Sequence, residues 1–180
     1  MSETYDRRVT PARPDLAAAH LKDRIVALLY VEGETFQVRE SVIDMRREPR
    51  PDCAVDTQLL YGERVTLYDD EEGWGWVQAA RDDYVGWVPL NALWSRNDPP
   101  THRVAVSRTF IYPGPGIKLP PQNALPLGSD VTVIDERGDF LVTPEHGFIW
   151  RAHLAPLDRP ASDFVAVAET LLGAPYLWGG

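Results

Sequence analysis

Short apolar segments that alternate with polar residues recur along the middle of the chain. Val65 and Leu67 flank a polar residue in one segment, and Val131 and Val133 repeat this arrangement further on. A period of two residues is typical of a strand with one buried face. An acidic turn and further short apolar runs follow each segment. The pattern therefore predicts a mainly β protein built from small, partly open barrels.

The alternating pattern is part of an internal repeat. Residues 62–67 match residues 128–133 at a separation of 66 positions, and residues 86–88 match residues 147–149 at a separation of 61. The difference of five falls between the two blocks, where the second copy has the shorter hairpin. Two separated blocks in the same order indicate a duplicated unit rather than a chance match.

The repeat divides the chain into predicted parts. An N-terminal arm precedes the repeat, and a C-terminal segment of different character follows it. The predicted parts are an arm with a short helix and a strand at 1–35, a first module at 36–96, a second, degenerate module at 103–157, and the C-terminal segment at 160–180.

The arm has local signals for both helix and strand. Asp15 is placed to cap a short helix over residues 16–21. The apolar run at 25–31 is typical of a buried strand, and a second strand is predicted at 36–38 after a Gly-containing turn.

The C-terminal segment changes to a helical period. Apolar residues recur at the spacing of one helical face, so an amphipathic helix is predicted over 163–172, with Ser162 or Asp163 as its cap. Gly173 is placed to end the helix. The apolar face has no predicted partner within these 180 residues, so we expect self-association through the helix at 163–172.

Composition narrows the classes of partner. The net charge of −9 argues against nucleic acid and anionic membranes, which require a basic face. No apolar run reaches the length of a signal peptide core or a membrane span. Cys53 is the one cysteine, which excludes an internal disulfide. A cytoplasmic location is therefore expected.

The first module resembles bacterial SH3 (SH3b) domains. The residues that carry the resemblance are Asp44-Met45-Arg46, the segment 59–63, Gly73-Trp74-Gly75-Trp76-Val77, and the segment 83–89, which ends in Gly86-Trp87-Val88-Pro89. The second module lacks the paired tryptophans and has Phe140-Leu141-Val142 in their place. Its assignment as a second SH3b domain depends mostly on the internal repeat.

The C-terminal segment resembles the start of an NlpC-type cysteine peptidase domain. The resemblance lies in Leu172-Gly173-Ala174-Pro175-Tyr176-Leu177-Trp178-Gly179-Gly180 after an amphipathic helix. In that family, SH3b domains are the usual upstream neighbours. The combined resemblance implies two SH3b barrels in tandem, followed by the first helix of an α+β papain-like catalytic domain. The nucleophilic Cys and the base His are expected beyond Gly180, so residues 1–180 are expected to be inactive alone.

The resemblance to NlpC-type peptidases also implies a substrate. The related γ-D-glutamyl-L-diamino acid endopeptidases, of the dipeptidyl-peptidase VI type, hydrolyse murein peptides after γ-D-Glu with no metal and no cofactor, and they act in cell wall recycling. Tyr84 and Glu48 are the expected ligands of the free L-Ala amine, and Tyr176 is expected beside the catalytic cysteine. Plain alternatives exist for two of these residues: an aromatic core position for Tyr176 and a solvated loop carboxylate for Glu48.

Other residues have weaker signals. The tryptophans of the first module are predicted mainly as core and barrel-lip residues. Cys53 has no His nearby in sequence and is not expected to be a nucleophile, and the four histidines lack metal or triad spacing.

Two rival functions remain open. The first is a non-catalytic SH3b module that binds peptidoglycan peptides or a protein partner, and the second is a pair of barrels that only shapes a groove.

Overall fold

The computed structural model describes residues 5–95 and 98–180. Within these ranges the chain is mainly β, with a single α-helix, several antiparallel sheets and one parallel strand pair, which fits an SH3b-like fold. The strands are β1 (Leu16–Ala18), β2 (Leu29–Val31), β3 (Glu34–Val38), β4 (Val42–Arg46), β5 (Val55–Leu60), β6 (Arg64–Glu71), β7 (Trp74–Ala79), β8 (Val85–Pro89), β9 (Leu93–Trp94), β10 (His102–Val104), β11 (Arg108–Ile111), β12 (Asn123–Pro126), β13 (Asp130–Val131), β14 (Asp135–Arg137), β15 (Phe140–Val142), β16 (Phe148–Trp150) and β17 (Leu154–Pro156). The helix α1 spans Phe164–Glu169, and short 3-10 helices span Ala19–Leu21, Leu90–Ala92 and Arg151–His153.

Contacts divide the chain into two compact units. The described residues of the first unit are 5–59, 63–95 and 178–180, and those of the second are 60–62 and 98–177. The predicted domain boundaries stay predictions.

The first unit is built on a seven-stranded sheet. Its strand order is β5-β4-β8-β7-β6-β3-β9, and the pairs from β4 to β9 are antiparallel. The hairpin between β6 and β7 turns at Glu72 and Gly73, which have φ angles of 47° and 85°. Two consecutive positive φ values are the requirement of a type I′ turn, which matches the twist of the flanking strands. The core of the sheet includes Val38, Met45 and Val88, all fully buried.

The second unit holds three small antiparallel sheets. Their strand orders are β13-β10-β17, β11-β12 and β14-β15-β16. The elements follow one another as in the first unit, except that the short strands β13 and β14 stand where β6 is continuous. β6 and β13 begin 66 residues apart, and the 3-10 helices at Leu90–Ala92 and Arg151–His153 begin 61 apart, which are the spacings of the sequence repeat.

The helix predicted over residues 16–21 of the arm is wrong for its first half. Residues 16–18 form β1, and only Ala19–Leu21 are helical, as a single 3-10 turn. Asp15 does not cap this turn, which has no side-chain cap. β1 pairs in parallel with β2, and its alanines are fully buried. This tertiary pairing outweighs the helix propensity of a short segment, which is marginal without packing.

The buried strand predicted at 25–31 is also shorter than expected. Only Leu29–Val31 are in β2, whereas Val26 and Leu28 are 94% and 89% exposed. β1 is three residues long and gives partners to only three residues of the apolar run. The remainder of the run therefore has no strand to pair with and forms a loop.

The C-terminal helix is present but covers less than the predicted 163–172. α1 ends at Glu169, and turns follow up to Gly173, which has a φ of 89°. Asp163 is the N-cap, and its Oδ1 accepts hydrogen bonds from the backbone N–H groups of Val165 and Ala166. Phe164 is 82% exposed, so the apolar face is open as expected. Self-association through this face stays a prediction.

Gly86 allows a close contact inside the first unit. A Cβ atom at this position would lie 2.5 Å from Met45 Cγ and 2.9 Å from the backbone oxygen of Arg46. We expect Gly86→Ala to lower the free energy of unfolding by about 1–3 kcal/mol, because the added methyl group overpacks the β4–β8 contact. Urea unfolding followed by tryptophan fluorescence measures the change.

Gly116→Ala is the matched control for this substitution. A Cβ atom at Gly116 would meet only Leu119, at 3.8 Å. We expect its unfolding midpoint to stay close to that of the unchanged chain. Equal midpoints for Gly86→Ala and Gly116→Ala would contradict the close packing of β8 on β4.

Candidate ligand groove on the first unit

A groove of about 540 Å³ lies on the first unit, between the arm and the outer face of the sheet. Its charged lining contrasts with the apolar core on the other side of the sheet. The arm contributes Arg7, Arg8, Ala12, Arg13, Pro14 and Asp15, and the sheet and its loops contribute Arg47, Asp56, Trp76, Val85, Gly86 and Trp87.

Two tryptophans stand on the outer face because of strand alternation. Trp76 on β7 and Trp87 on β8 are directly paired across the strands, so their side chains share a face. Their neighbours Val77 and Val88 point to the opposite face and are fully buried in the core. With Leu16 of the arm, the tryptophans form a second, smaller apolar cluster. The sequence predicts core and barrel-lip positions for these tryptophans. Both are buried, but they lie on the face opposite the core and are covered by the arm.

Arg13 joins the arm to these rings. Its guanidinium carbon lies 4.5 Å from the centroid of Trp76 and 5.1 Å from that of Trp87. Its Nη2 atom is 2.8 Å from Asp15 Oδ2 and 2.5 Å from Asp69 Oδ2. The guanidinium group therefore makes cation–π contacts and two ion pairs at once. These contacts hold residues 12–15 against β6, β7 and β8.

The charged groups around Arg13 shift one another's pKa values. Burial lowers the pKa of the Arg13 guanidinium, but hydrogen bonds and charge attraction from Asp15 and Asp69 outweigh it, so the pKa is raised above its ordinary value. The hydrogen bond from Arg13 lowers the pKa of Asp15. At the arm's start, hydrogen bonds from Arg8 lower the pKa of Asp6 to about 2. Arg13, Asp15 and Asp6 are therefore ionised at neutral pH.

The remaining arginines of the groove differ in the hydrogen bonds and ion pairs that they make with other described residues. Arg8 binds Asp6 through two side-chain nitrogens, Nε and Nη2. Arg47 gives one hydrogen bond of 3.2 Å to Asp56 and remains 72% exposed. Arg7 is exposed and has no ion pair within residues 5–95 and 98–180.

The sequence-predicted amine ligands lie outside this groove. Tyr84 is half-buried and packs against the core cluster of the sheet, on the side opposite Val85. Glu48 is exposed in a loop, where its Oε2 atom is 2.8 Å from Nε of Arg50. No hydrogen bond or ion pair joins Tyr84 to Glu48 among the described side chains. Their roles in substrate binding stay predictions.

Tyr176 belongs to the second unit and is 85% exposed. The last three residues belong to the first unit, where Gly179 lies against β5. Its φ is 77°, and a Cβ atom there would be 3.0 Å from both Cγ1 and the backbone oxygen of Val55. The glycine is therefore needed both for its backbone conformation and for its close approach. The predicted role of Tyr176 beside a nucleophile is not tested by this placement.

The arginines of the groove are not predicted from the sequence. One feature of the sequence does indicate a packing partner. Alternation places Trp76 and Trp87 on the face opposite the core residues, so another segment of the chain must pack on these two large rings to bury them. The Arg-rich arm is the segment that packs on the rings. Local patterns do not reveal the partner, because Arg13 and Asp69 are 56 residues apart.

Cys53 and the four histidines do not line the groove. The part of the chain that the structure describes contains no group of three or more His, Cys, Asp or Glu residues placed to hold a metal ion. Cys53 is a free, half-buried thiol in a loop, and its backbone oxygen accepts a hydrogen bond from Arg46. No α-helix within residues 5–95 and 98–180 has the length and hydropathy needed to cross a membrane.

Comparisons with known proteins match the first unit and the sequence around it. A family model described as the bacterial dipeptidyl-peptidase SH3 domain matches residues 45–93. The gamma-D-glutamyl-L-lysine dipeptidyl-peptidase of Bacillus subtilis (strain 168) is 31% identical over 147 residues, which cover 72% of this chain and 48% of that protein. The chain thus spans about half the length of this curated relative.

A solved structure supports the fold. The crystal structure of an NlpC/P60 family protein from Bacillus cereus ATCC 10987 matches with a TM-score of 0.65 at 18% identity. The match covers 82% of this chain and 66% of that one. At this identity the similarity is one of fold.

The Asp15–Arg13 ion pair predicts a dependence of stability on pH. Because the folded-state pKa of Asp15 is lowered, its contribution is present above its unfolded pKa of about 3.9 and is lost as the pH falls through the folded value. We expect Asp15→Asn to lower the free energy of unfolding by about 0.5 kcal/mol at pH 7, as for an exposed ion pair. Urea unfolding between pH 2 and pH 7 measures the change.

Asp23→Asn is the control for this series, since Asp23 is an exposed arm residue with no ion pair among the described side chains. The difference between Asp15→Asn and the unchanged chain should disappear in acid, and Asp23→Asn should show no such trend. A destabilisation by Asp15→Asn that is equal at all pH values would count against the ion pair.

Proposed function

We propose that this chain, an NlpC-type protein with a bacterial SH3 domain, is the N-terminal part of a murein-peptide cysteine endopeptidase. The observation that carries the proposal is the similarity to a dipeptidyl-peptidase over 147 residues, well beyond the SH3 match at 45–93. A peptidoglycan-peptide peptidase is therefore the supported class. The cleavage site and the selection of substrate are the finer parts of the proposal.

The proposed architecture is two SH3b barrels in tandem, followed by the first helix of a papain-like domain. The order of elements in the second unit, which follows that of the first, supports the second barrel. The exposed apolar residues Phe164 and Leu172 support a packing partner for the helix in the whole protein. In this arrangement the nucleophilic Cys and the base His come from the catalytic domain and not from residues 1–180.

The proposed reaction is hydrolysis after γ-D-Glu in short peptides with a free N-terminal L-Ala. The relative is named for the γ-D-glutamyl-L-lysine linkage, which supports this bond in the present chain. A cysteine thiolate would attack the carbonyl carbon and release the diamino acid, and water would then hydrolyse the thioester. Tyr84 and Glu48 are proposed to bind the L-Ala amine, and Tyr176 to lie beside the nucleophile.

The proposed setting is the recycling of murein peptides in the cytoplasm. Peptides with a free L-Ala amine are fragments rather than intact wall, so an enzyme that selects the amine acts on already released material. The proposal includes no cofactor. The SH3b barrels are proposed to shape the substrate site.

The alternative is a non-catalytic SH3b module that binds peptidoglycan peptides or a protein partner. It receives less support, because the curated relative is a peptidase and its similarity extends outside the SH3 domain. The two functions differ in turnover: the peptidase hydrolyses its ligand, and the module only binds it.

Hydrolysis by the product of the whole reading frame tests the proposal. With L-Ala-γ-D-Glu-L-Lys, we expect release of L-Ala-γ-D-Glu and L-Lys, detected by mass spectrometry, and inactivation by iodoacetamide. N-acetylation of L-Ala is expected to lower kcat/KM at least about tenfold, because the amine no longer carries a charge. Glu48→Gln is expected to produce a similar loss with the free peptide.

Glu32→Gln is a control with the same change of charge at an exposed position outside the groove and the Glu48 loop. It should leave kcat/KM unchanged. Binding of the peptide without hydrolysis would favour the non-catalytic module. Equal rates for the free and the acetylated peptide would reject amine selection while leaving the peptidase class intact.

A further inference from the structure

A second groove, here called the Trp74 groove, lies on the first unit and has a volume of about 480 Å³. It shares no lining residue with the groove between the arm and the sheet, and neither Tyr84 nor Glu48 lines it. Its volume is within the range of about 300–1,000 Å³ that is usual for ligand sites. Its lining combines apolar rings and side chains with a few polar groups, and it includes Val42, Pro51, Trp74, Pro89, Glu40 and Asn91.

Strand pairing builds the apolar wall of the Trp74 groove. Trp74 on β7 and Pro89 on β8 are directly paired, so their side chains lie on the same face of the sheet. Trp74 packs against the apolar cluster that contains Trp76 and remains partly exposed. Directly after Pro89, a 3-10 helix carries Asn91 at the surface. Indole and pyrrolidine rings have few rotatable bonds, so this wall loses little conformational entropy when a ligand packs on it.

Two hydrogen-bond donors of this lining are available to a ligand. Neither the indole N–H of Trp74 nor the side-chain amide of Asn91 makes a hydrogen bond with another described residue. An indole nitrogen is a donor only, and a side-chain amide has two N–H donors. The groove therefore presents N–H groups beside apolar rings, an arrangement that suits the carbonyl groups of a peptide.

The charge that remains for a ligand in the Trp74 groove is negative. Asp44 and Arg46 both line the groove, but they neutralise each other in an ion pair of 2.6 Å. The side chain of Glu40 is 56% exposed, and its ion pair with Arg39 has a distance of 3.8 Å, which is too long for a hydrogen bond. Glu40 therefore keeps carboxylate oxygens that can accept from a ligand cation.

We propose that the Trp74 groove binds a proline-rich segment of a partner protein, in the polyproline II conformation, with a Lys or Arg beside the prolines. Such a segment has no internal hydrogen bonds, so its carbonyl groups can accept from Trp74 and Asn91. Its pyrrolidine rings pack on the indole and proline wall, which is how aromatic-lined grooves recognise this conformation. Its cation pairs with Glu40. The inference does not depend on the proposed peptidase reaction.

Other modes of peptide binding fit the Trp74 groove less well. Its strand residues come from β4, β7 and β8, which are inner strands of the seven-stranded sheet. Inner strands have a paired neighbour on each side, so a ligand cannot be added here as a further strand. A murein peptide carries free carboxylates, which Glu40 repels. A cationic, proline-rich segment matches the rings, the N–H donors and the carboxylate together.

An NMR titration of the isotope-labelled 180-residue chain tests this inference. The probe is acetyl-Lys-Pro-Pro-Leu-Pro-Pro-Lys-amide, which has a cation at both ends so that either binding direction can reach Glu40. We expect saturable shifts of the Trp74 indole N–H and the Asn91 amide signals. The same peptide with Ala for every Pro should bind at least about tenfold more weakly, because it loses the preorganised conformation. The peptide with Gln for both Lys should bind about threefold more weakly, as for an exposed ion pair.

Variants of the lining separate these contributions. Glu40→Gln should abolish the preference for the Lys peptide over the Gln peptide. Glu32→Gln is the matched control at an exposed position outside both grooves, and it should retain the preference. Trp74→Ala should weaken binding at least about tenfold, as for a central aromatic contact. Asn91→Ala, at an exposed position, should weaken it about threefold through the loss of one hydrogen bond.

Three results would each overturn the inference: no shifts at Trp74 and Asn91, equal affinity for the proline and alanine peptides, or a preference for Lys that survives Glu40→Gln. Saturable shifts of the same two signals by L-Ala-γ-D-Glu-L-Lys, without shifts by the proline-rich peptide, would overturn it as well and assign the groove to the murein peptide.

Discussion

The first unit depends on the stacking of Arg13 over Trp76 and Trp87. Alternation along β7 and β8 places these rings outside the barrel core, where they would expose a large apolar surface. Arg13 covers them with a guanidinium group that is also paired with Asp15 and Asp69. One residue therefore buries the rings, anchors the arm and forms the base of the groove. The groove exists because the arm is held in this position.

The fold could be predicted where local pattern and tertiary contacts agree. The strand predicted around Val65 and Leu67, the acidic hairpin tip at Glu72, and the cap at Asp163 are all present, whereas in the second unit only Asp130–Val131 of the corresponding strand form. Local reasoning failed in the arm, where parallel pairing with β2 makes a strand of residues that favour a helix. It also overestimated β2, because the length of a strand is limited by the length of its partner. The pairing of two segments cannot be predicted from the sequence of either segment alone.

The candidate site was less predictable than the fold. Resemblance to a family drew attention to Tyr84, Glu48 and Tyr176, and the structure leaves their roles as predictions. The groove arises instead from residues that meet only after folding, such as Arg13 and Asp69, which are 56 positions apart. The net charge does not indicate the groove either, because the chain as a whole is acidic whereas several arginines line the groove. The arm, which the sequence separates from the first module, forms one wall of the groove on the first unit.

The central claim is that Arg13 lies on the two indole rings in solution. Proton chemical shifts and NOEs of the Arg13 side chain test it most directly, because protons above an aromatic ring are shifted upfield. We expect upfield shifts of the Arg13 Hδ and Hε protons, with NOEs to the indole protons of Trp76 and Trp87, and loss of the upfield shift in Trp76→Leu. Shifts typical of an unstructured arginine and no indole NOEs would contradict the account, since the arm would then not be held on the sheet.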